Sequence, residues 1–191
     1  MIKRDSLMSL EAYARERNAF RAKVLEHKKK RKVYLGGHVA LDFEDELTIR
    51  YQVQEMLRIE RIFEDEGIQG ELDAYNPLIP DGSNWKATML IEYPDADERR
   101  RMLAQLKGVE RRVWVRVDEC EPVFAIADED LERENEDKTS SVHFLRFELS
   151  AAMRERLRSG ARVTAGVDHP QYRASAELAP EVRSALAADL N

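Results

Sequence analysis

Cysteine is almost absent from this chain of 191 residues, in which Cys120 stands alone. One cysteine excludes an internal disulfide and every zinc or iron–sulfur site that requires several thiolates. Long apolar runs are absent as well: none approaches the roughly 18 residues of a membrane-spanning helix, and the first residues lack the apolar core of a secretory signal. These absences predict a cytoplasmic protein that does not associate with a membrane.

The motifs of common reaction centres are missing too. The sequence has no Gly-x-Ser-x-Gly elbow, no glycine-rich phosphate loop, no His-x-x-x-His pair and no Glu-x-x-His spacing. Cys120 lies between two glutamates, which is a poor setting for a nucleophilic thiolate. Glu60 and Glu64 are one helical turn apart, but scattered histidines give them little support as metal ligands. The sequence therefore predicts no catalytic residue, metal or cofactor, and an enzyme is the less favoured class.

Charge is abundant and unevenly distributed. Residues 1–34 contain eleven Lys or Arg against four Asp or Glu, about +7, which leaves about −13 for the remainder. The run Lys28–Lys32 has two interpretations: a contact with nucleic acid or an anionic membrane, or a solvated helix end that faces the acidic body of the same chain or of a second copy. Because no aromatic residues interleave with the lysines, we favour the second interpretation and expect no nucleic-acid binding.

Apolar periodicity and turn residues divide the chain into helices and strands. The pattern over 48–66 predicts a long central helix that ends at Gly67, although alternation over 47–53 leaves a strand open for its first half. The other predicted elements are a helix over 10–30, an extended segment over 33–43, a loop over 67–85, a strand over 86–93, a helix from Asp95 to Gly108, strands over 110–118 and 122–128, an acidic segment over 129–139, a strand over 141–149, a helix over 151–159, strands over 161–168 and 172–178, and a helix from Pro180.

This order of elements favours an α+β fold with a mainly antiparallel sheet. We expect a long buried helix and further helices to pack on the sheet, together with an N-terminal helical arm. The corresponding division is a basic arm over 1–32 and a single α+β domain over 33–191.

Glu60 is the most unusual residue of the central helix. On a helical wheel it falls inside the apolar arc that contains Ile59 and Phe63. A carboxylate inside a core-facing stripe is costly unless it is paired. His143 lies on the apolar face of strand 141–149 and is a natural partner for Glu60, which would give an acid–base or ligand-binding centre. The alternative is a purely structural ion pair, with Arg116 or Arg146.

The loop between the central helix and strand 86–93 supplies further candidate ligand-binding residues. Asp81, Asn84 and Lys86 lie on a backbone stiffened by prolines, with Lys86 available for an anion. The alternative is a tight crossover in which Asp81 and Asn84 satisfy local backbone groups. His38 completes the set of candidate residues.

Three segments of the chain carry a family resemblance: residues 51–100, 138–149 and 166–172. They resemble an uncharacterised bacterial family, domain of unknown function 3501, and the similarity extends from 5–17 to 178–190. The resemblance implies a gene setting near rubrerythrin-like proteins and iron–sulfur oxidoreductases of the heterodisulfide-reductase type.

The sequence and the resemblance together predict a cytoplasmic accessory protein. We expect it to bind a partner in redox or peroxide metabolism, a rubrerythrin-like or iron–sulfur protein, and to form a homodimer. The alternatives are a small-molecule or metal-dependent enzyme with a pocket built from Glu60, His143 and the 76–86 loop, and nucleic-acid binding through Lys28–Lys32.

Overall fold

Two antiparallel sheets and six α-helices form the fold in the computed structural model, which describes residues 1–191. The strands are β1 (Lys32–Leu35), β2 (Val39–Phe43), β3 (Asn84–Ile91), β4 (Val113–Val117), β5 (Val123–Phe124), β6 (Ile126–Ala127), β7 (Val142–Glu148), β8 (Val163–His169) and β9 (Tyr172–Glu177). The helices are α1 (Leu10–Lys29), α2 (Glu46–Glu60), α3 (Asp65–Tyr75), α4 (Ala96–Gln105), α5 (Ala151–Arg158) and α6 (Pro180–Ala187). The predicted α+β class is confirmed.

The two sheets share one continuous stretch of chain. The first sheet has the order β1-β2-β3-β7-β6 and the second has the order β5-β4-β8-β9. Residues 123–127 pair first with β4 and then with β7, and Ala125 between them donates its N–H to the carbonyl of Val113 at 2.8 Å. The sequence predicted one sheet; the short β5–β6 segment instead passes from one sheet to the other.

The main core lies between the inner faces of the two sheets and contains 29 buried residues. Alternation along β3 turns Trp85, Ala87, Met89 and Ile91 inward, as the period of two of a strand requires. Trp85 closes one end of this core, since its Nε1–H donates to the carbonyl of Leu186 in α6 at 2.9 Å. The outer face of β3 carries Asn84, Lys86, Thr88 and Leu90.

A second, smaller core holds the N-terminal helices together and contains Ile2, Ile49, Val53, Leu57 and Leu72. Helix α2 begins with a capping box in which Asp45 accepts from the Thr48 N–H and the Asp45 N–H donates to the Thr48 hydroxyl. The first half of this segment is therefore helical, and the strand that the alternation left open is not formed.

The carboxylate of Glu55 on α2 joins this helix to α1. It accepts hydrogen bonds from Tyr13 at 2.7 Å and from two nitrogens of Arg17 at 2.7 and 2.9 Å. The Arg17 guanidinium lowers the pKa of the Glu55 carboxyl to about 2. Because these hydrogen bonds join α1 to α2, the basic helix packs against α2.

The expected burial of Glu60 is wrong. Helix α2 ends at Glu60, and Arg61 adopts the left-handed conformation with φ 55°, so the wheel does not continue to Gly67. Glu60 is exposed, as are Ile59 at 56% and Phe63 at 71% of their surface. The expected loop over 67–85 is also wrong in its first half, because Ile68, Leu72 and Tyr75 recur at helical spacing and form the packed face of α3.

Part of the basic run at the end of α1 is engaged within the chain. Arg31 is buried, where it donates to the carbonyls of Phe43 and Glu44 and pairs with Asp189. Lys32 pairs with Asp42 at 3.0 Å. These contacts agree with the interpretation of a helix end that faces acidic groups of the same chain. No helix has both the length and the apolarity that crossing a membrane requires.

Gly166 on β8 lies directly against the indole of Trp114, and a Cβ at this position would overlap the ring. Gly166→Ala should lower the free energy of unfolding by about 1–3 kcal/mol through overpacking. Gly70→Ala is the matched control: Gly70 lies inside α3 with open space around it, so alanine should raise stability by up to about 1 kcal/mol. Urea unfolding of both variants checks the prediction, and equal stability of the two variants would contradict it.

Candidate functional site

The largest concave feature is a cleft of about 670 Å³ between the outer face of β3 and β7 and the helical layer of α2 and α3. The acidic segment that follows β6 forms its third wall. The cleft is lined by Met56, Glu71, Asp73, Ala74, Tyr75, Pro77, Leu78, Lys86, Glu129, Asp130, Arg133, Phe144, Leu145 and Arg146. Its volume lies within the range of ligand pockets, about 300–1,000 Å³.

Two basic residues occupy directly opposed positions in the floor of the cleft. The register of β3 and β7 pairs Lys86 with Arg146, and like charges directly opposite each other repel. Arg146 is balanced by acidic neighbours, since it donates to both carboxylate oxygens of Glu129 at 2.8 and 2.7 Å and also pairs with Glu148. These bonds also hold the acidic segment against β7.

Lys86 has no such compensation. Its ammonium donates to the carbonyl of Pro77 at 2.8 Å, and no carboxylate lies within ion-pair distance. Burial lowers the pKa of Lys86, and the neighbouring Arg146 lowers it further. Lys86 is therefore a half-buried cation in the cleft whose only direct partner is a neutral carbonyl.

Arg133 anchors the third wall. It donates to both oxygens of Asp130, at 2.5 and 2.7 Å, and its guanidinium lies over the ring of Phe144 with 4.5 Å to the centroid. A cation over an aromatic face is stabilised by the ring quadrupole. Asp130 thus occupies the guanidinium, and Phe144 supplies an apolar surface to the cleft.

His143 lies behind this wall rather than in the cleft. It is fully buried on the inner face of β7, where its Nδ1 is 2.6 Å from Asp128 Oδ2 and its Nε2 is 3.0 Å from the Thr139 hydroxyl. The other oxygen of Asp128 accepts from the Phe144 N–H at 2.9 Å and from Arg133 at 3.3 Å. The contact with His143 therefore holds Asp128 in place at the end of β6, where the acidic segment begins.

The expected Glu60–His143 pair is wrong. Glu60 is exposed at the end of α2, and the carboxylate beside His143 belongs to Asp128. The alternative ion pair of Glu60 with Arg116 or Arg146 is wrong as well. Arg116 lies over the ring of Trp114, and Arg146 pairs with Glu129 and Glu148. Glu60 is the last residue of α2, and the end of this helix is exposed to solvent, as the exposure of Ile59 also shows.

The remaining predicted residues divide into one in the cleft and three elsewhere. Lys86 lines the cleft. Asp81 accepts from the N–H of Ser83 at 2.9 Å, and Asn84 accepts from the N–H of Asp81 at 3.3 Å, which is the tight-crossover alternative for these two residues. The buried Asn84 also donates to Glu148 at 2.9 Å. His38 stacks on Tyr93 at 4.0 Å, outside the cleft. No group of three or more His, Cys, Asp or Glu residues has an arrangement suited to a metal ion.

Sequence reasoning missed the third wall and the aromatic lining. Glu129, Asp130 and Arg133 lie in the acidic segment 129–139, for which the sequence leaves an exposed loop and a short helix open, and Phe144 lies on the polar face of its strand. One signal was available: Arg133 is the single arginine within the acidic run 128–137. An isolated cation among carboxylates indicates a local ion-pair cluster.

Replacement of His143 tests its role in holding the wall. His143→Leu leaves the Asp128 carboxylate without its ring partner, so we expect a loss of about 2–4 kcal/mol in the free energy of unfolding. Amide hydrogen exchange of residues 128–139 should accelerate more than that of α5. Thr139→Val is the control: it removes the hydroxyl on the other ring nitrogen, keeps the Asp128 contact and should cost about 1 kcal/mol. Unchanged exchange over 128–139 in His143→Leu would contradict this role.

Comparison with known proteins places the whole chain in one family. A crystal structure at 1.90 Å from Burkholderia pseudomallei K96243, described as a novel protein of unknown function, matches with a TM-score of 0.95 and 56% sequence identity. The match covers 100% of this chain and 99% of that one. None of the curated proteins matches. The family described as "Protein of unknown function (DUF3501)" matches residues 1–190, and the chain belongs to that family.

Proposed function

We propose that this protein binds a small organic anion with an apolar body in the cleft between the outer face of the first sheet and α2–α3. The observation that carries this proposal is Lys86, a half-buried cation in the cleft without a carboxylate partner. A bound carboxylate between Lys86 and its cross-strand neighbour Arg146 would supply the missing opposite charge and accept hydrogen bonds from both side chains.

The lining of the cleft defines the class of ligand. Tyr75, Phe144 and Met56 offer apolar and aromatic contact for a hydrophobic group. The acidic side chains Glu71 and Asp73 also line the cleft, and they disfavour ligands with several negative charges. A monocarboxylate with an aliphatic or aromatic body therefore fits better than a nucleotide or a polyphosphate.

The binding test uses 4-methylpentanoate and benzoate with isothermal titration calorimetry. Lys86→Met should weaken binding about tenfold to a hundredfold, because a charge-assisted hydrogen bond contributes roughly 1.5–3 kcal/mol. Lys107→Met is the matched control, since Lys107 also donates to a backbone carbonyl, that of Glu136 at 3.0 Å, but lies outside the cleft. Equal affinities of the two variants, or no binding by the parent protein, would contradict the proposal.

A second proposal follows from the family resemblance. We propose that the protein is a cytoplasmic accessory protein, acting as a homodimer, that contacts a rubrerythrin-like or iron–sulfur partner in redox or peroxide metabolism. Three exposed apolar residues on and next to the segment that joins the sheets support a protein contact: Phe124 is 46% exposed, Ile126 41% and Leu131 57%. Phe124 and Ile126 are two residues apart in an extended segment, so they project to the same side.

Affinity capture from native cells tests the accessory role, with partners identified by mass spectrometry and subunit number by analytical ultracentrifugation. We expect a redox protein to be enriched with the parent chain and lost when Phe124 and Ile126 are both replaced by serine. Phe63→Ser is the control, because it removes an even more exposed apolar side chain elsewhere. Capture that recovers no rubrerythrin-like or iron–sulfur protein would count against the accessory role, and a monomeric chain against the homodimer.

A further inference from the structure

Lys86 combines the features that convert a lysine from a charged anchor into a nucleophile. It is half-buried in a cleft with apolar walls, an arginine occupies the cross-strand position, and its hydrogen-bond acceptor is a neutral carbonyl. A lysine amine is activated when it is desolvated or placed beside a second cation, because both effects favour the neutral form.

We infer that Lys86 forms an imine with a 2-oxo monocarboxylate held in the cleft. This inference rests on the proposed anion-binding function and names the chemical class of its ligand. The carbonyl carbon meets Nζ of Lys86, and the adjacent carboxylate meets Arg146. Arg146 has five N–H donors, of which three are used on Glu129 and Glu148, so two are left for the carboxylate.

The charged groups around Lys86 explain why this amine differs from other lysines. Burial and Arg146 lower the pKa of Lys86, and together they outweigh Glu129, Asp81 and Glu148, which act in the opposite direction. Lys32 on β1 is the contrasting case: burial disfavours its charge, but the ion pair with Asp42 raises its pKa. Each unit of difference in pKa changes the fraction of neutral amine about tenfold at neutral pH.

The reaction is a condensation that needs no oxidant or reductant. The lone pair of neutral Nζ attacks the carbonyl carbon and forms the C–N bond, while the carbonyl oxygen takes up a proton. Loss of the amine protons and departure of this oxygen as water then give the C=N bond. One amine and one ketone are consumed, and one imine and one water are produced.

The Pro77 carbonyl is compatible with both states of the amine. A neutral primary amine keeps two N–H donors, so the bond to Pro77 persists while the lone pair is free to attack. If Lys86 were purely structural, this hydrogen bond would be its only role. Arginine could then replace Lys86, and the reactivity of the protein towards carbonyl compounds would not change.

Reductive trapping of the full-length chain tests the inference. The protein is incubated with 4-methyl-2-oxopentanoate and cyanoborohydride at neutral pH, and modified lysines are located by peptide mass spectrometry. We expect the adduct at Lys86 to form at least about tenfold faster than the adduct at Lys32. The rate at Lys86 should also rise at a lower pH than the rate at Lys32. Lys86→Arg should remove the fast adduct, and Arg146→Gln should slow it.

The matched acid without a ketone, 4-methylpentanoate, separates the imine from anion binding. If this acid binds and Lys86 is trapped no faster than Lys32, the imine is overturned while anion binding stands. If the acid does not bind and Lys86 is not trapped selectively, both fail. Fast trapping at Lys86 that 4-methylpentanoate suppresses supports both.

Discussion

The pairing of β3 with β7 is the constraint on which the rest of the structure depends. Its register runs from Asn84 opposite Glu148 to Leu90 opposite Val142. On the inner face this register brings Trp85 against Phe147 in the main core, and on the outer face it sets Lys86 against Arg146. A slip by one residue would exchange these faces, so the energy of the core also fixes the arrangement of charges in the cleft.

Around this pair, the protein uses carboxylates to immobilise arginines. Glu129 pairs with Arg146 in the floor of the cleft, and Asp130 pairs with Arg133 in the third wall. His143 reaches the same wall from the core side through Asp128. The net result is a cleft in which both arginines are paired with carboxylates, whereas the cation of Lys86 has only a carbonyl as its partner.

Strand and turn signals were sufficient for much of the fold. Alternation over 141–149 predicted that His143 shares a face with Leu145 and Phe147, and the structure confirms this arrangement. Helix boundaries between α2 and α3 were not predictable, because Arg61 takes the left-handed conformation without a glycine, while Gly67 lies inside the next helix. A wheel drawn across such a break rotates every later residue to the wrong face.

The candidate site was less accessible to sequence reasoning, because its parts are distant along the chain. Lys86 was identified from its loop, and its cross-strand neighbour Arg146 is 60 positions later. Only the sheet register brings the two together. The acidic segment gave no periodic signal, since its order comes from ion pairs with Arg133 and Arg146 and not from an apolar stripe.

The segment that passes from one sheet to the other also affects how the chain folds. Because residues 123–127 complete both sheets, neither sheet is a finished unit until the chain on both sides of this segment has been placed. The central pairings of the two sheets, β3 with β7 and β4 with β8, join residues between 46 and 64 positions apart in sequence. Such non-local pairing carries a high entropy cost before any contact compensates for it. The chain should therefore fold slowly and in one cooperative transition, with both sheets appearing together.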